Sequence, residues 1–117
     1  EFLYVEDLAD ASIFFLENFS FKDNLVLNKN LKSDSILNIG TGTDISIKDL
    51  AKLISSEVKY KGRIKWDESK PDGTPRKLLD VSKASKLGWN AKTALKEGIK
   101  LTIKHYKKEV LEKSIRL

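Results

Sequence analysis

Cysteine and methionine are absent from this 117-residue chain, and histidine occurs only once. Without cysteine there is no disulfide framework, no thiolate zinc site and no cysteine nucleophile. The single His105 has no Asp or Cys at a ligand or triad spacing, so it reads as a surface or edge histidine, and no metal site is expected. No apolar run approaches the ~18 residues that a membrane helix needs. There is no signal-peptide pattern at the start, and the cytoplasm is the expected compartment. The chain opens Glu1-Phe2-Leu3-Tyr4-Val5, already inside an apolar run and without Met, which reads as a segment of a longer protein. At this length it is one domain or part of one, able to bury about 65% of its unfolded surface.

Charge of one sign is present but unevenly spread. The net charge is +5, and residues 94–117 carry seven Lys/Arg against three acids, leaving the remainder near neutral. Such a terminal concentration is read as the solvated face of a helix. The alternative is a basic module that tracks phosphates of a nucleic acid through that helix. No zinc knuckle or RNP-like aromatic motif accompanies it, so neither a nucleic acid nor a membrane is expected as partner.

Periodicity predicts an α/β order, β-α-β-α-β-loop-β-α-α. Residues 2–5 read as a strand. Asp7 is placed as the cap of a helix carrying Leu8, Ile13, Phe15, Leu16 and Phe19, with Phe14 and Phe21 extending burial to more than one side. A polar loop is expected at 20–34. Ile36–Ile39 reads as a strand ending in Gly40-Thr41-Gly42. Ser46 and Asp49 form a capping-box arrangement, with Ile45 stapling against Leu50, and Gly62 is placed as the stop. Arg63–Asp67 alternates like a half-buried strand, and 77–81 is a short extended run. Ser82 caps a small helix closed by Gly88, and Thr93 opens a long final helix.

Two features invite a cofactor or catalytic reading and fail it. Gly40-Thr41-Gly42 lacks the third glycine of G-x-G-x-x-G, where Ile45 stands, and Asp44 has the wrong sign for a pyrophosphate. No tyrosine is followed by lysine four residues on, so the Tyr-x-x-x-Lys pair of short-chain reductases is missing. Trp66 and Trp89 are assigned to the core, with stacking on a base or sugar as the other option.

Lys70-Pro71-Asp72-Gly73-Thr74-Pro75-Arg76-Lys77 is the remaining candidate. Prolines stiffen the loop, and Arg offers a planar fork that matches phosphate oxygens. Arg63, Lys70, Arg76 and Lys77 are either separate surface cations or together an anion clamp. Arg76 and Lys77 are the first choice as a unit, then Arg63. On a strictly extended backbone Arg76 and Lys77 point to opposite faces, so only one binds directly unless Pro75 twists the chain.

Read from Lys70 through Asp80 to Leu87-Gly88-Trp89, this stretch resembles the GDP-L-fucose synthase family. The opening Glu1–Ala11 and the segment Leu37–Ile47 resemble extended short-chain dehydrogenases/reductases more generally. The resemblance implies an α/β fold: the C-terminal substrate-binding portion of such an enzyme, residues 1–117, with its Rossmann half missing. It implies a homodimeric parent that epimerises and reduces GDP-4-keto-6-deoxy-D-mannose to GDP-L-fucose with NADPH. NADP and the catalytic groups would belong to the missing N-terminal domain, leaving no catalytic or cofactor-binding residue here and an inactive segment. Arg63 and Lys77 are implied as GDP-sugar ligands, with Arg76 beside them. A related enzyme using another GDP- or UDP-sugar is the sibling alternative. Loss of the N-terminal half is expected to expose Phe14, Phe15 and Phe19.

Overall fold

The computed structural model describes residues 1–19 and 36–112. The loop expected at 20–34 and Phe21 lie outside the described residues, as do Lys113 and Arg116. Four helices are described: α1, Val5–Asn18; α2, Ile47–Glu57; α3, Ser82–Lys86; and α4, Leu95–Leu111.

None of the four runs read as strands forms a ladder among the described residues, and Val5, the end of the first, already belongs to α1. A strand exists only as a member of a pair, because its amides and carbonyls need a neighbour. Alternation in Arg63–Asp67 states which side chains such a pair would bury. Without one, the whole run is exposed, and Trp66, assigned to the core, is 48% accessible. Side chains bridge the other runs instead. The Asn38 amide donates to the Asp80 carbonyl at 3.2 Å, and Lys83 Nζ donates to the Ile36 carbonyl at 3.2 Å.

Helix α1 begins one turn of chain earlier than a cap at Asp7 would allow. Tyr4 is its N-cap, and Glu6 and Asp7 occupy the first turn, where the helix dipole favours acids. Asp7 is buried and turned away from the helix's own amides toward the chain before α4. Its Oδ2 accepts from the Lys92 and Thr93 amides at 3.0 and 2.8 Å, and its Oδ1 accepts from the Thr93 hydroxyl at 2.8 Å. One turn on, Asp10 Oδ2 accepts from Trp89 Nε1 and Lys92 Nζ, both at 3.0 Å. Two acids three residues apart on one helical face thus clamp residues 89–93.

The core sits beneath that clamp. Ala11, Ala84 and Trp89 are buried, with Leu3, Phe14, Phe15, Leu37, Ile39 and Ala91 packed around them. Trp89 is in the core as its sequence position suggested. Burial of α1 on more than one side does not hold, since Leu8, Ile13 and Leu16 are exposed, Leu16 to 83%. Nor are Phe14, Phe15 and Phe19 the open face. They are half-buried and pack edge-on or tilted against one another, with centroids 5.1–6.2 Å apart.

Ser46 caps α2 as predicted, accepting from the Asp49 amide at 3.0 Å. The reciprocal half of the box differs: the Asp49 carboxylate takes the Ser46 hydroxyl at 2.7 Å and Lys52 at 3.2 Å. The helix stops before Gly62. Lys59, at φ +56, and Tyr60 donate to the Ser56 and Ser55 carbonyls, so the left-handed cap falls on a lysine. In α3, Ser82 is the first helical residue, and Asp80 accepts its amide at 2.9 Å. Gly88, at φ +98, closes that helix, with Trp89 donating to the Ala84 carbonyl at 3.0 Å. Ala94, one residue after Thr93, is the N-cap of α4. Helices α2 and α4 pack together, joined at their rim by Lys96–Glu57 at 3.6 Å. Gly98 on α4 is buried against Tyr4, where a Cβ would come within 3.2 Å of the Tyr4 Cβ. His105 is exposed on the same helix.

Candidate functional site

The first extended run, the Gly40–Gly42 turn and the 77–81 run meet at the carboxylate of Glu1. Its Oε1 accepts from the amides of Thr41 and of Gly42, the latter at 3.1 Å, and its Oε2 accepts from the Leu79 amide at 2.9 Å. Partial burial pushes this carboxyl up, but the Leu79, Gly42 and Thr41 amides outweigh that and hold it below its usual range. The turn has this sequence for steric reasons. Gly42 sits at φ +70, and a Cβ on Gly40 would run into the Glu1 carboxylate.

The same turn therefore does not fit a dinucleotide. Its amides already hold a carboxylate, and Ile45 stands where the third glycine would be. Among the described residues no group of three or more His, Cys, Asp or Glu is placed to hold a metal ion.

Beside the turn opens a cleft of about 810 Å³. Its walls are the start of the chain (Glu1, Phe2), the entry to α2 (Asp44 to Ile47) and the loop from Gly73 to Lys77. Arg76 and Lys77 both line it. The opposite faces of a regular strand do not apply here, because the chain bends at Pro75. Arg76 Nε donates to Asp44 Oδ2 at 2.6 Å, and both side chains remain open to solvent. The hydrogen bond from Arg76 is the foremost reason that the Asp44 carboxyl lies below its usual range.

Arg63 and Lys70 are exposed, and neither lines this cleft. The structure thus brings together two of the four expected cations. Sequence reasoning misses three carboxylates as site-builders: Glu1, which holds the turn and Leu79; Asp44, which it treats only as an obstacle to a pyrophosphate; and Asp10, which holds Trp89. For Asp10 a signal exists, an acid one turn after Asp7. Glu1 and Asp44 have no such periodic neighbour to mark them.

No protein-family model matches the chain. Individual proteins do. The chain is 45% identical over 102 residues to the GDP-L-fucose synthase of Escherichia coli (strain K12), covering 87% of this chain and 31% of that protein. A Campylobacter jejuni GDP-6-OMe-4-keto-L-xylo-heptose reductase superposes with a TM-score of 0.80 at 39% identity, over 88% of this chain and 29% of that one. A GDP-mannoheptose C4 reductase of the same organism, solved with NADP bound, gives 0.71 at 38% identity over 86% and 29%. The chain spans about 30% of the length of the relatives it matches. Correspondence to a part of an α/β enzyme is consistent with the lack of ladders among the described residues. The chain belongs to the GDP-L-fucose synthase family of extended short-chain dehydrogenases/reductases.

Proposed function

We propose that this chain is the GDP-sugar-binding portion of an NADPH-dependent epimerase/reductase that converts GDP-4-keto-6-deoxy-D-mannose to GDP-L-fucose. The observation that carries the reading is the convergence of Arg76 and Lys77 on one cleft. Arg76 and Lys77 neutralise the pyrophosphate there, and Arg63 serves a more distant part of the substrate. NADP and the groups that move protons and hydride reside outside residues 1–117, in a dinucleotide-binding domain of the parent. The absence of a Tyr-x-x-x-Lys pair and the occupied glycine turn support that division. On this reading the segment alone turns over no NADPH, and the parent works as a homodimer in the cytoplasm. Among the described residues no helix is long and apolar enough to cross a membrane.

The test is steady-state kinetics of the full-length enzyme with Lys77→Ala. Removing one charge-assisted hydrogen bond to the substrate costs about 1.5–3 kcal/mol, so KM for the GDP-sugar rises roughly tenfold to a hundredfold. An unchanged KM removes Lys77 from the site. A sibling reading, a GDP-heptose as substrate, is favoured by the similarity to the Campylobacter reductases. Comparing turnover of the two sugar nucleotides by one preparation decides between them.

A further inference from the structure

Arg76 reaches the cleft with its Nε already engaged by Asp44. A guanidinium has five N–H donors in one plane, and Nε points sideways from the fork formed by its two terminal nitrogens. A bond at Nε fixes the plane and leaves the fork free. Asp44 sits immediately before the N-cap region of α2, next to Ile45 and Ser46, which line the same cleft. It therefore lies two residues from the N-cap of a helix, whereas Arg76 stands on an exposed loop outside any described helix or ladder.

We propose that Asp44 is a positioning residue for phosphate recognition, holding Arg76 by Nε so that its terminal nitrogens face the pyrophosphate of a nucleoside-diphosphate sugar. This rests on the substrate reading of the cleft given above. The charge balance makes the proposal decidable. Asp44 is an anion near a site for an anion, and on repulsion alone its removal tightens binding by about fivefold or less in a solvated cleft. Its ordering of Arg76 acts in the opposite direction. The rotamer entropy of an arginine side chain, which must otherwise be lost when substrate binds, is equivalent to as much as ~30-fold in affinity. The two effects have opposite signs on KM, and ordering wins if Asp44 positions.

The experiment uses the full-length enzyme with Asp44→Asn, Asp44→Glu, Arg76→Ala and the Asp44→Asn/Arg76→Ala double variant. The expected result is a several-fold rise in KM for the GDP-sugar in Asp44→Asn, with kcat within about twofold of wild type. Asp44→Glu recovers part of the loss. On the Arg76→Ala background the Asp44→Asn change has no further effect, because the group it positions is gone. A general folding defect lowers kcat and persists on that background, and that outcome overturns the proposal. An unchanged or lowered KM in Asp44→Asn, while Arg76→Ala still raises it, also overturns positioning by Asp44 and leaves the substrate reading standing. If neither Arg76→Ala nor Lys77→Ala changes KM, the substrate reading falls, and the proposal with it.

Discussion

Arg76 Nε lies 2.6 Å from Asp44 Oδ2, joining two points 32 residues apart across one cleft. The pair is electrically neutral, and Glu1 and Lys77 in the same cleft also balance, so the cleft attracts an anion through the placement of its two cations and not through net charge. Both partners are exposed, and an ion pair of this kind adds little to stability. Its value lies in geometry, since it fixes a loop arginine against the entry of α2.

Asp7 is a polar group on which the fold depends. It is buried and accepts from two amides and a hydroxyl in residues 92–93. Asp7→Ala leaves those donors without a partner, and we expect a loss of about 2–3 kcal/mol in urea unfolding. A change under about 0.5 kcal/mol means that water replaces the carboxylate without penalty.

Acid should release Trp89 by protonating Asp10. The hydrogen bond from Trp89 and then that from Lys92 hold the Asp10 carboxyl below its usual range. A carboxylate depressed in the folded state contributes stability above its unfolded pKa, and the contribution disappears as pH falls through the folded value. In a Trp66→Phe background, Trp89 emission should stay constant down through the ordinary Asp range near ~3.9 and shift only below it. Asp10→Asn should abolish that step. A transition at or above the ordinary range contradicts the assignment.

Gly42 is a turn position closed to substitution by its backbone conformation. It lies at φ +70, and a Cβ there would approach Val81 Cγ2 to 2.9 Å. Gly42→Ala should destabilise by about 1–2 kcal/mol through the left-handed conformation alone. It should also disturb the Glu1 cradle, seen as a shift of the Leu79 amide resonance. An unshifted Leu79 amide means that the turn and the 77–81 run are independent.

Local signals in the sequence locate some helix ends and miss others, the caps expected at Asp7, Ser82 and Thr93 falling instead on Tyr4, Val81 and Ala94. Ser46 before Asp49 locates the start of α2, and Gly88 locates the end of α3. Apolar periodicity finds α1 and α4 but misassigns the buried face of α1, because Leu8, Ile13 and Leu16 are as apolar as the residues that do pack. The strand readings name segments that form no ladder among the described residues, and pairing is a property of two segments rather than one. Helix α2 does not run on to Gly62 because Lys59 adopts the left-handed cap three residues earlier, at a conformational cost that composition does not reveal. At the cleft, the proline-braced loop singles out Arg76 and Lys77. The roles of Glu1 and Asp44 are illegible because each depends on partners 32 to 78 residues distant.

The most direct test of the account is calorimetric titration of GDP into the full-length protein and its Arg76→Ala/Lys77→Ala variant. If the cleft grips the pyrophosphate, the double variant binds GDP at least about a hundredfold more weakly, because it lacks two charge-assisted hydrogen bonds. Equal affinity in a variant that remains folded contradicts the account and places the nucleotide elsewhere.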